Sequence, residues 1–286
     1  MRICLFWNPG AGGGNALADL TRPIESAGHD VVRVVERTED LRRLLTSDVE
    51  CVAAAGGDGT IARAAAALVG GDIPLAPLPL GTANNIAGSL GLEGSLEELI
   101  GRWRQERRVA IDVGFVEHGG RESCFVESVG FGLIADGIDT GRRTLSKDDP
   151  AAHLDEARDL YRELLAGAAP HPYSITIDGE ELNGDYLLVE ALNTPRIGPG
   201  LELTSAVSTA DGLLSVVCMT AAERPQLHDY LDALRRGPAG DTGLKSWRVR
   251  KAVVRGASRM HVDDGVEEVS GPVAIRIEPA SLLVLA

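Results

Sequence analysis

Residues 51–60 read CVAAAGGDGT, and this stretch decides the fold of the first half of the chain. Its first five residues form a short apolar run of the kind that becomes a strand buried on both faces. The run ends at two glycines, and an alanine-rich stretch with the composition of a helix follows to Val69. A corner between strand and helix needs one or two glycines, whereas here three flank Asp58 beside Thr60. We therefore interpret Gly56–Thr60 as a functional loop, with a plain turn as the alternative.

Apolar strands alternate with helical stretches through the first hundred residues. Further strands are predicted at Arg2–Trp7, Val31–Val35 and Ile73–Leu80. One further helix is predicted at about Ala16–Ala27 and another after Gly81. A third is predicted to begin at Thr38 as its N-cap, with Glu39 and Asp40 in its first turn. Pro23 predicts a kink or an early end in the first of these helices. Strands spaced by helices of roughly 10–15 residues predict a parallel sheet covered on both faces, which we assign to an open α/β domain at residues 1–110.

The pattern changes near residue 109. Ser174–Asp178 and Val273–Ile277 alternate polar and apolar residues, which is typical of an antiparallel sheet with one wet face. Two helical stretches, roughly Ala151–Leu165 and Pro225–Arg235, interrupt these strands. We therefore predict a mostly antiparallel β domain at residues 111–286, whose last strand is able to return to the first domain. The active site is expected in the cleft between the two domains.

Charge and composition exclude several classes of function. The 286 residues carry 28 Lys+Arg against 42 Asp+Glu, a formal net charge of −14, and so acidic a protein is repelled by nucleic acids. No apolar run approaches the roughly 18 residues that span a bilayer, and Ile3–Trp7 is too short for the core of a signal peptide. The four cysteines are far apart and lack metal-ligand spacing. We therefore expect a cytoplasmic protein with free thiols, without zinc and without a nucleic-acid partner.

Two further loops carry glycines at the start of a helix. Asn8–Asn15 reads NPGAGGGN, and Leu80–Asn85 reads LGTANN. Glycines let backbone N–H groups approach an anion, and the N-terminus of the following helix adds a positive dipole end. In a parallel sheet these loops and Gly56–Thr60 fall at the carboxyl ends of the strands, where ligands of open α/β sheets bind. Together the three loops predict a phosphate site, although the first and the third taken alone are equally compatible with plain turns.

Two common nucleotide-binding motifs can be compared with these loops. The P-loop motif GxxxxGK[ST] is absent, because all the lysines lie in the second half of the chain. The dinucleotide motif GxGxxG begins at Gly10 and Gly12 but has Asn15 at its third glycine position. Glu36 ends the second strand, where a ribose-binding acid is expected. A P-loop ATPase is therefore excluded, and an NAD-dependent oxidoreductase stays an alternative.

These motifs resemble those of the soluble diacylglycerol-kinase-like lipid kinases, whose catalytic fold is shared with sphingosine and ceramide kinases and, more distantly, with NAD kinase. Gly56–Thr60 matches the family's GGDGT signature unchanged, and Pro79–Asn85 is similar to its PLGTxND. The likeness covers nearly the whole chain, with the other similar segments at Asn8–Gly12, Thr38, Asp112–Gly114, Ser128–Gly132, Ala210–Leu214 and, for the DGE motif, Asp263–Gly265.

The resemblance implies phosphorylation of a hydroxyl on a lipid or lipid-like alcohol, with ATP and Mg²⁺. Carried over residue by residue, it implies that ATP is bound by Asn8, Gly10, Gly12, Thr38, Gly56, Gly57, Asp58, Gly59, Thr60, Gly81, Thr82 and Asn84. Asp58 is expected to hold Mg²⁺ or to orient the acceptor hydroxyl. Asp264 is expected to accept the proton of that hydroxyl, with Asp263 as the adjacent alternative. Asp211 is similar to a second, structural Mg²⁺ site of bacterial members, for which a plain Asp-Gly turn is the alternative.

Three residues depart from the family pattern. Arg63 stands where the family usually has a glutamate after GGDGT, Asn85 replaces the aspartate of PLGTxND, and Val266 replaces the glutamate of DGE. Arg63 either contacts a phosphate of the nucleotide or points into solvent. Because carboxylates are lost, a non-catalytic protein that binds nucleotide or lipid stays an alternative. Because the fold is shared with NAD kinase, a kinase of a soluble substrate such as NAD is a second alternative.

A lipid substrate requires docking at a membrane surface, since no segment spans a bilayer. The cluster Arg102-Trp103-Arg104, with Arg107 and Arg108, is a candidate for peripheral membrane contact, because a tryptophan among cations suits a headgroup layer. In the alternative, Trp103 folds into the protein and the arginines are solvated. A homodimer is a further expectation. None of the six histidines is assigned a role.

Overall fold

The computed structural model describes residues 1–11, 16–105, 107–145 and 150–286. It divides into two compact units, one made of Met1–Asp112 with Ala280–Ala286 and the other of Val113–Pro279. The chain thus leaves the first unit after Asp112 and re-enters it at Ala280. At this crossing the Asp112 carboxylate accepts a hydrogen bond from the Ala280 backbone N–H at 2.8 Å. The last residues of the sequence are therefore part of the first unit.

The first unit is an open α/β structure. Its elements are β1 (Arg2–Trp7), α1 (Leu17–Ser26), β2 (Asp30–Glu36), α2 (Leu41–Leu44), β3 (Cys51–Gly56), α3 (Asp58–Leu68), β4 (Leu75–Pro79), α4 (Asn85–Ser89) and α5 (Leu96–Arg102). Strands β4, β3, β1 and β2 pair in that order, and all of them run parallel. The strand β3 is buried along its whole length, as its apolar sequence requires. The predicted parallel sheet is confirmed.

Helix α1 does not end early at Pro23 but continues to Ser26, so the early end is a wrong prediction. Its buried residues Leu20 and Ile24 lie on either side of the proline. The packing of these side chains outweighs the backbone hydrogen bond that proline cannot donate.

Helix α2 begins later than predicted, and Thr38 is not its N-cap. The cap is Asp40, whose carboxylate accepts a hydrogen bond from the Arg43 backbone N–H at 3.4 Å. Glu39 lies outside the helix, where its carboxylate accepts from the Glu36 N–H at 2.7 Å and closes the turn after β2. Threonine and aspartate both cap helices, so composition alone does not decide between neighbouring candidates.

The second unit consists of antiparallel strands and three long helices among its described residues. Its elements are β5 (Arg108–His118), β6 (Arg121–Phe125), β7 (Ser128–Gly132), α6 (Leu133–Thr144), α7 (Pro150–Gly167), β8 (His171–Ile177), β9 (Glu180–Glu181), β10 (Gly184–Tyr186), β11 (Leu188–Leu192), β12 (Leu214–Met219), α8 (Arg224–Arg236), β13 (Ser246–Val249), β14 (Lys251–Arg255), β15 (Arg259–Val262), β16 (Gly265–Glu268) and β17 (Val273–Leu285). The ends of β5 and β17 belong to the first unit.

The strands of the second unit form two layers. One has the order β13-β12-β11-β7-β15-β16, with every pair antiparallel. The other contains β10, β8, β14 and β17 in that order, with β5 beside β17 and β6 beside β5. Apolar side chains from both layers share one core, which includes Phe125, Phe131, Ile175, Val189, Val216 and Ile275. The predicted antiparallel β domain is confirmed.

Helix α6 is an element that the sequence did not predict. It contains Gly137 and Gly141, and glycine is a poor helix former. A Cβ atom on Gly137 would overlap the ring of Tyr161, so glycine lets α6 and α7 pack closely. The helices α6, α7 and α8 share a second core with alternate residues of β11 and β12, including Leu188 and Val217. Tertiary packing therefore imposes a helix that local propensity disfavours.

Candidate functional site

The second and third glycine loops touch at the carboxyl ends of β3 and β4. The Leu80 backbone N–H donates a hydrogen bond to the Gly56 carbonyl at 2.9 Å, just beyond the paired residues of the two strands. A Cβ atom on Gly81 would lie 2.5 Å from the Cα of Gly57, and one on Gly57 would lie 3.2 Å from the Cα of Gly81. Glycine is therefore required at position 81, and a small residue at position 57, for the loops to approach this closely.

Asp58 connects the same two loops through its side chain. It is half-buried in the first turn of α3, where the helix dipole favours a carboxylate. Its Oδ1 accepts a hydrogen bond from the Ile86 backbone N–H in the first turn of α4, at 3.0 Å. The protein thus holds one hard oxygen ligand at a fixed point between the two loops.

Thr60 lies inside its loop. The residue is 2% exposed, and a Cβ atom on Gly56 would overlap its side chain. Its backbone N–H donates to the Gly57 carbonyl at 2.8 Å. The side chain of Thr60, a residue expected to bind ATP, therefore packs inside its own loop. Gly59 lies half-buried in the first turn of α3.

Asn84 determines the shape of the third loop. Its backbone is left-handed, with φ of 50°, a conformation that asparagine tolerates better than most residues. Its side-chain Oδ1 accepts from the Gly81 N–H at 2.8 Å, and its Nδ2 donates to the Gly81 carbonyl at 2.9 Å. The Asn84 amide therefore closes the loop around Thr82, which is half-buried, rather than projecting away from it.

The first glycine loop is fixed at its start by Asn8. The Asn8 backbone N–H donates to the Ala55 carbonyl at 3.0 Å, and the Asn8 Oδ1 accepts from the Gly10 N–H at 3.2 Å. Gly10 is exposed, whereas Gly12 and Asn15 lie outside the described residues. The turn that carries Thr38 follows β2 and lies beside the end of β1, because the Arg37 N–H donates to the Trp7 carbonyl at 2.7 Å.

Two departures from the family pattern occupy different environments. Arg63 is exposed on α3, four residues after Gly59 and therefore on the same helix face. This exposure favours the interpretation in which its side chain is solvated. Asn85 is 2% exposed in the first turn of α4. An aspartate there would place a charge in the interior, so the amide is the less costly residue at this position.

In the second unit, Asp263 and Asp264 form the turn between β15 and β16, and their side chains have different surroundings. The Asp263 carboxylate accepts hydrogen bonds from the backbone N–H groups of Val126, Glu127 and Ser128, at 3.1, 2.7 and 3.3 Å. The Asp264 side chain is 56% exposed, with its Oδ2 3.7 Å from Nη2 of Arg142. Asp263 is therefore engaged in holding the turn, which favours Asp264 as the group that is able to reach a substrate.

A buried ion pair supports the same turn. His261 Nε2 lies 3.0 Å from Oε2 of Glu190, and His261 Nδ1 lies 3.0 Å from the Asp263 carbonyl, with both side chains at most 1% exposed. Burial opposes the charged imidazole, but the Glu190 carboxylate and the Asp263 carbonyl raise the pKa of His261 above its ordinary 6.5. The sequence analysis assigned no role to this histidine, although its place in an alternating strand next to Asp263 was a usable signal.

Asp211 does not resemble a metal ligand in its surroundings. Its carboxylate pairs with the Arg248 guanidinium, and its Oδ1 accepts from the Leu213 N–H at 3.1 Å in a turn that Gly212 completes with φ of 72°. These contacts favour the alternative, an Asp-Gly turn. Within the described residues no group of three or more His, Cys, Asp or Glu side chains is placed to hold a metal ion.

Trp103 is not available to a membrane surface. It is 2% exposed, and its ring packs against that of His29 with the centroids 5.8 Å apart. Arg102 donates hydrogen bonds to the carbonyls of Gly91 and Glu93. The candidate membrane contact at Trp103 is therefore wrong, because the ring belongs to the core. Among the described residues, none of the helices has both the length and the apolar character that crossing a membrane requires.

Comparison with known proteins relates both halves of the chain to kinases. Residues 2–116 match the diacylglycerol kinase catalytic domain, and residues 157–286 match the YegS C-terminal NAD kinase beta sandwich-like domain. A Citrobacter koseri protein named "Probable lipid kinase YegS-like" is 30% identical over 227 residues, which are 76% of this chain and 73% of that protein. "Probable lipid kinase YegS" of Escherichia coli is 31% identical over 225 residues, 76% and 71% of the two chains.

Solved structures share the fold. A diacylglycerol kinase from Bacillus anthracis superposes with a TM-score of 0.76 at 19% identity, over 99% of this chain and 96% of that chain. An NAD kinase from Archaeoglobus fulgidus in complex with ATP superposes with a TM-score of 0.56 at 14% identity, over 100% and 94%. With both domains matched and the YegS proteins at this level of identity, the chain belongs to the diacylglycerol-kinase-like family of kinases that includes YegS.

Proposed function

We propose that this chain transfers the γ-phosphoryl group of ATP to a hydroxyl group of a lipid or lipid-like alcohol. The observation that carries the proposal is the hydrogen bond from Ile86 to Asp58, because it joins two glycine loops around one carboxylate at the ends of parallel strands. Membership of a kinase family supports phosphoryl transfer, and the names of the YegS relatives support a lipid acceptor.

The glycine loops after β1, β3 and β4 bind the phosphates of ATP. Phosphoryl transfer needs positioning and charge neutralisation more than covalent chemistry, and backbone N–H groups supply both. The N-terminus of the 11-residue helix α3 adds a positive dipole end beside Gly57 and Gly59. Glycine at positions 57 and 81 lets the two loops touch, so both loops are able to contact the same chain of phosphates. Asn8 and Asn84 act indirectly, by holding their loops in shape.

Mg²⁺ fits this site through Asp58. In kinases Mg²⁺ is usually held by one or two carboxylates together with the phosphates of the substrate. Asp58 supplies one such carboxylate, oriented by the Ile86 N–H. When bound, Mg²⁺ neutralises charge on the β- and γ-phosphates. The residue Asp58 thereby positions the nucleotide relative to α3 and α4.

Asp264 accepts the proton of the acceptor hydroxyl. A general base must reach the proton that it removes, and the Asp264 side chain is 56% exposed, whereas the Asp263 carboxylate accepts from the Glu127 backbone N–H. Asp263 acts as a positioning residue, since its carboxylate ties the β15–β16 turn to Val126 and Glu127 before β7 and to Ser128 at its start.

The experiment is a transfer assay with γ-labelled ATP, Mg²⁺ and a panel of lipid alcohols in detergent micelles, with NAD as a soluble acceptor. Label in the organic phase is the expected result. Label in NAD would replace the lipid acceptor by a soluble one. Tight ATP binding with no transfer to any acceptor would contradict the catalytic role and leave a nucleotide-binding protein.

A further inference from the structure

The loop around Asp211 is held together by a cation that the chain itself supplies. Arg248 of β13 lies directly opposite Ser215 of β12 in their antiparallel pair. Its guanidinium contacts the Asp211 carboxylate, the Ala206 carbonyl at 2.5 Å and the Ser215 hydroxyl at 2.7 Å. The Ser215 hydroxyl in turn donates to the Ala206 carbonyl. One planar cation therefore joins three points of the segment 206–215.

The oxygens around Arg248 are of the type that hard metal ions select. Mg²⁺ and Ca²⁺ bind carboxylate and carbonyl oxygens, and the family resemblance places a structural Mg²⁺ site of bacterial members at Asp211. Here Asp211 Oδ2 is engaged by Arg248, and Asp211 Oδ1 is engaged by the Leu213 N–H. The guanidinium is a cation, so a metal ion at the same oxygens would meet a like charge. The residues present do not fit Mg²⁺ at this position.

We propose that Arg248 takes the place of a structural metal ion in this chain, so that the second unit is stable without divalent cations. A guanidinium presents five N–H donors in one plane, which suits several oxygens spread along a loop. Being covalently attached, it does not dissociate when the free metal concentration falls, unlike a bound ion. The inference concerns stability and does not depend on the proposed kinase activity.

The test compares melting temperatures in excess Mg²⁺ and in excess EDTA, without nucleotide, for the unsubstituted chain, Arg248→Ala and Arg250→Ala. Arg250 is the matched control, because it is an exposed arginine that follows the same strand. We expect the unsubstituted chain to melt at the same temperature in both conditions. In EDTA, Arg248→Ala is expected to melt roughly 3–6 °C below Arg250→Ala. Added Mg²⁺ is expected to restore part of that loss, since the oxygens left by Arg248 then accept a metal ion.

Two results would overturn the proposal. The first is a melting temperature of the unsubstituted chain that is lower in EDTA than in Mg²⁺, if the same difference is seen in Asp58→Asn and is lost in Asp211→Asn. Mg²⁺ would then bind at Asp211. The second is equal melting of Arg248→Ala and Arg250→Ala in EDTA.

If Arg248→Ala does not fold, Mn²⁺ binding measured by electron paramagnetic resonance, without nucleotide, decides the question. The proposal predicts equal Mn²⁺ binding by Asp58→Asn and by the double variant Asp58→Asn/Asp211→Asn. Stronger binding by the single variant would contradict it. None of these measurements reads phosphoryl transfer, so their failure leaves the proposed function untouched.

Discussion

The Asp58 carboxylate accepts a hydrogen bond from the Ile86 backbone N–H at 3.0 Å. Asp58 follows β3 and Ile86 follows β4, so this bond fixes the spacing of two loops at the ends of neighbouring parallel strands. The Asp58 carboxylate therefore stabilises the loops and, in the proposed function, also holds Mg²⁺. Variants of Asp58 are informative only when these two contributions are separated.

Asp58→Asn separates them, because the asparagine oxygen still accepts from Ile86 while the negative charge is lost. We expect phosphoryl transfer to fall by roughly 10²–10³-fold, the usual loss when one group that stabilises transition-state charge is removed. The melting temperature should stay close to that of the control Asp72→Asn, which changes an exposed aspartate after α3. Activity is measured with labelled ATP, and full activity of Asp58→Asn would remove this carboxylate from the reaction.

Gly81→Ala tests the contact between the two loops. The new Cβ would lie 2.5 Å from the Cα of Gly57, so the loops must separate. We expect a loss of roughly 1–3 kcal/mol in the free energy of unfolding, measured with urea, and weaker ATP binding. The control is Gly101→Ala in α5, where a Cβ meets open space and alanine should stabilise the helix slightly. Equal stability of the two variants would contradict the close approach.

Asp264→Asn tests the proposed base. We expect kcat to fall by roughly 10²–10⁴-fold, with the KM for ATP unchanged, because only the proton acceptor is lost. Glu268→Gln, at the other end of the same hairpin, is the exposed control and should retain activity. Asp263→Asn should instead lower the free energy of unfolding by about 1–3 kcal/mol, since fewer acceptors remain for the N–H groups before β7. A large loss of kcat in Asp263→Asn and none in Asp264→Asn would reverse the assignment.

Stability is expected to depend on pH through Glu190 and His261. The pKa of His261 is raised above 6.5 in the folded chain, so between pH 6.5 and that higher value the folded state binds more protons than the unfolded state. The free energy of unfolding therefore falls as pH rises through this window, by up to about 1.4 kcal/mol per pH unit, and the contribution is fully present below pH 6.5.

Glu190→Gln should flatten this dependence, because glutamine is uncharged and is able to donate to a neutral imidazole. Urea unfolding is measured in steps from pH 6.5 to pH 9. Near the upper end of this range a second effect enters, in both proteins alike, because the unfolded thiols begin to ionise while burial raises the pKa of Cys4 to about 11. The same slope in both proteins would show that the pair does not control stability.

Arg63→Glu restores the usual residue of the family at an exposed position of α3. A solvated arginine contributes little to binding, so transfer should be kept or raised. Arg63→Gln serves as the neutral control. Complete loss of ATP binding in Arg63→Glu, measured by calorimetry with Arg63→Gln for comparison, would identify Arg63 as a phosphate contact.

The sequence sufficed for features that depend on neighbours along the chain. The parallel strands follow from apolar runs such as Cys51–Gly56, and the loops follow from glycines placed where strand gives way to helix. From the sequence, these glycines are explained by the access that they give an anion to the backbone. The contact between Gly57 and Gly81 adds a second reason, because the two loops pack closely only when these residues are small.

The remainder depends on residues that meet only after folding. His261 contacts Glu190, which is 71 residues away in the sequence, and Arg248 contacts Asp211, which is 37 residues away. No local sequence pattern indicates either pair. Helix α6 has unfavourable local propensity and exists because neighbouring helices and strands cover it. The Asp211 turn shows the difficulty most clearly, because a motif that resembles a metal site is completed by a side chain from another strand.

The hydrogen bond between Asp112 and Ala280 has a consequence for how the protein is made. A ribosome that has released residues 1–112 has produced the three glycine loops, but the segment that completes the sheet of the first unit is synthesised only after residues 113–279. Ser281 accepts from the Gly70 N–H, Val284 pairs with Leu75, and the Ala286 N–H donates to the Arg107 carbonyl. The first unit is therefore completed only after the second has been translated, so a fragment cut at residue 112 would lack part of its own sheet. Residues 113–279 have time to fold during translation before the glycine loops gain their full support.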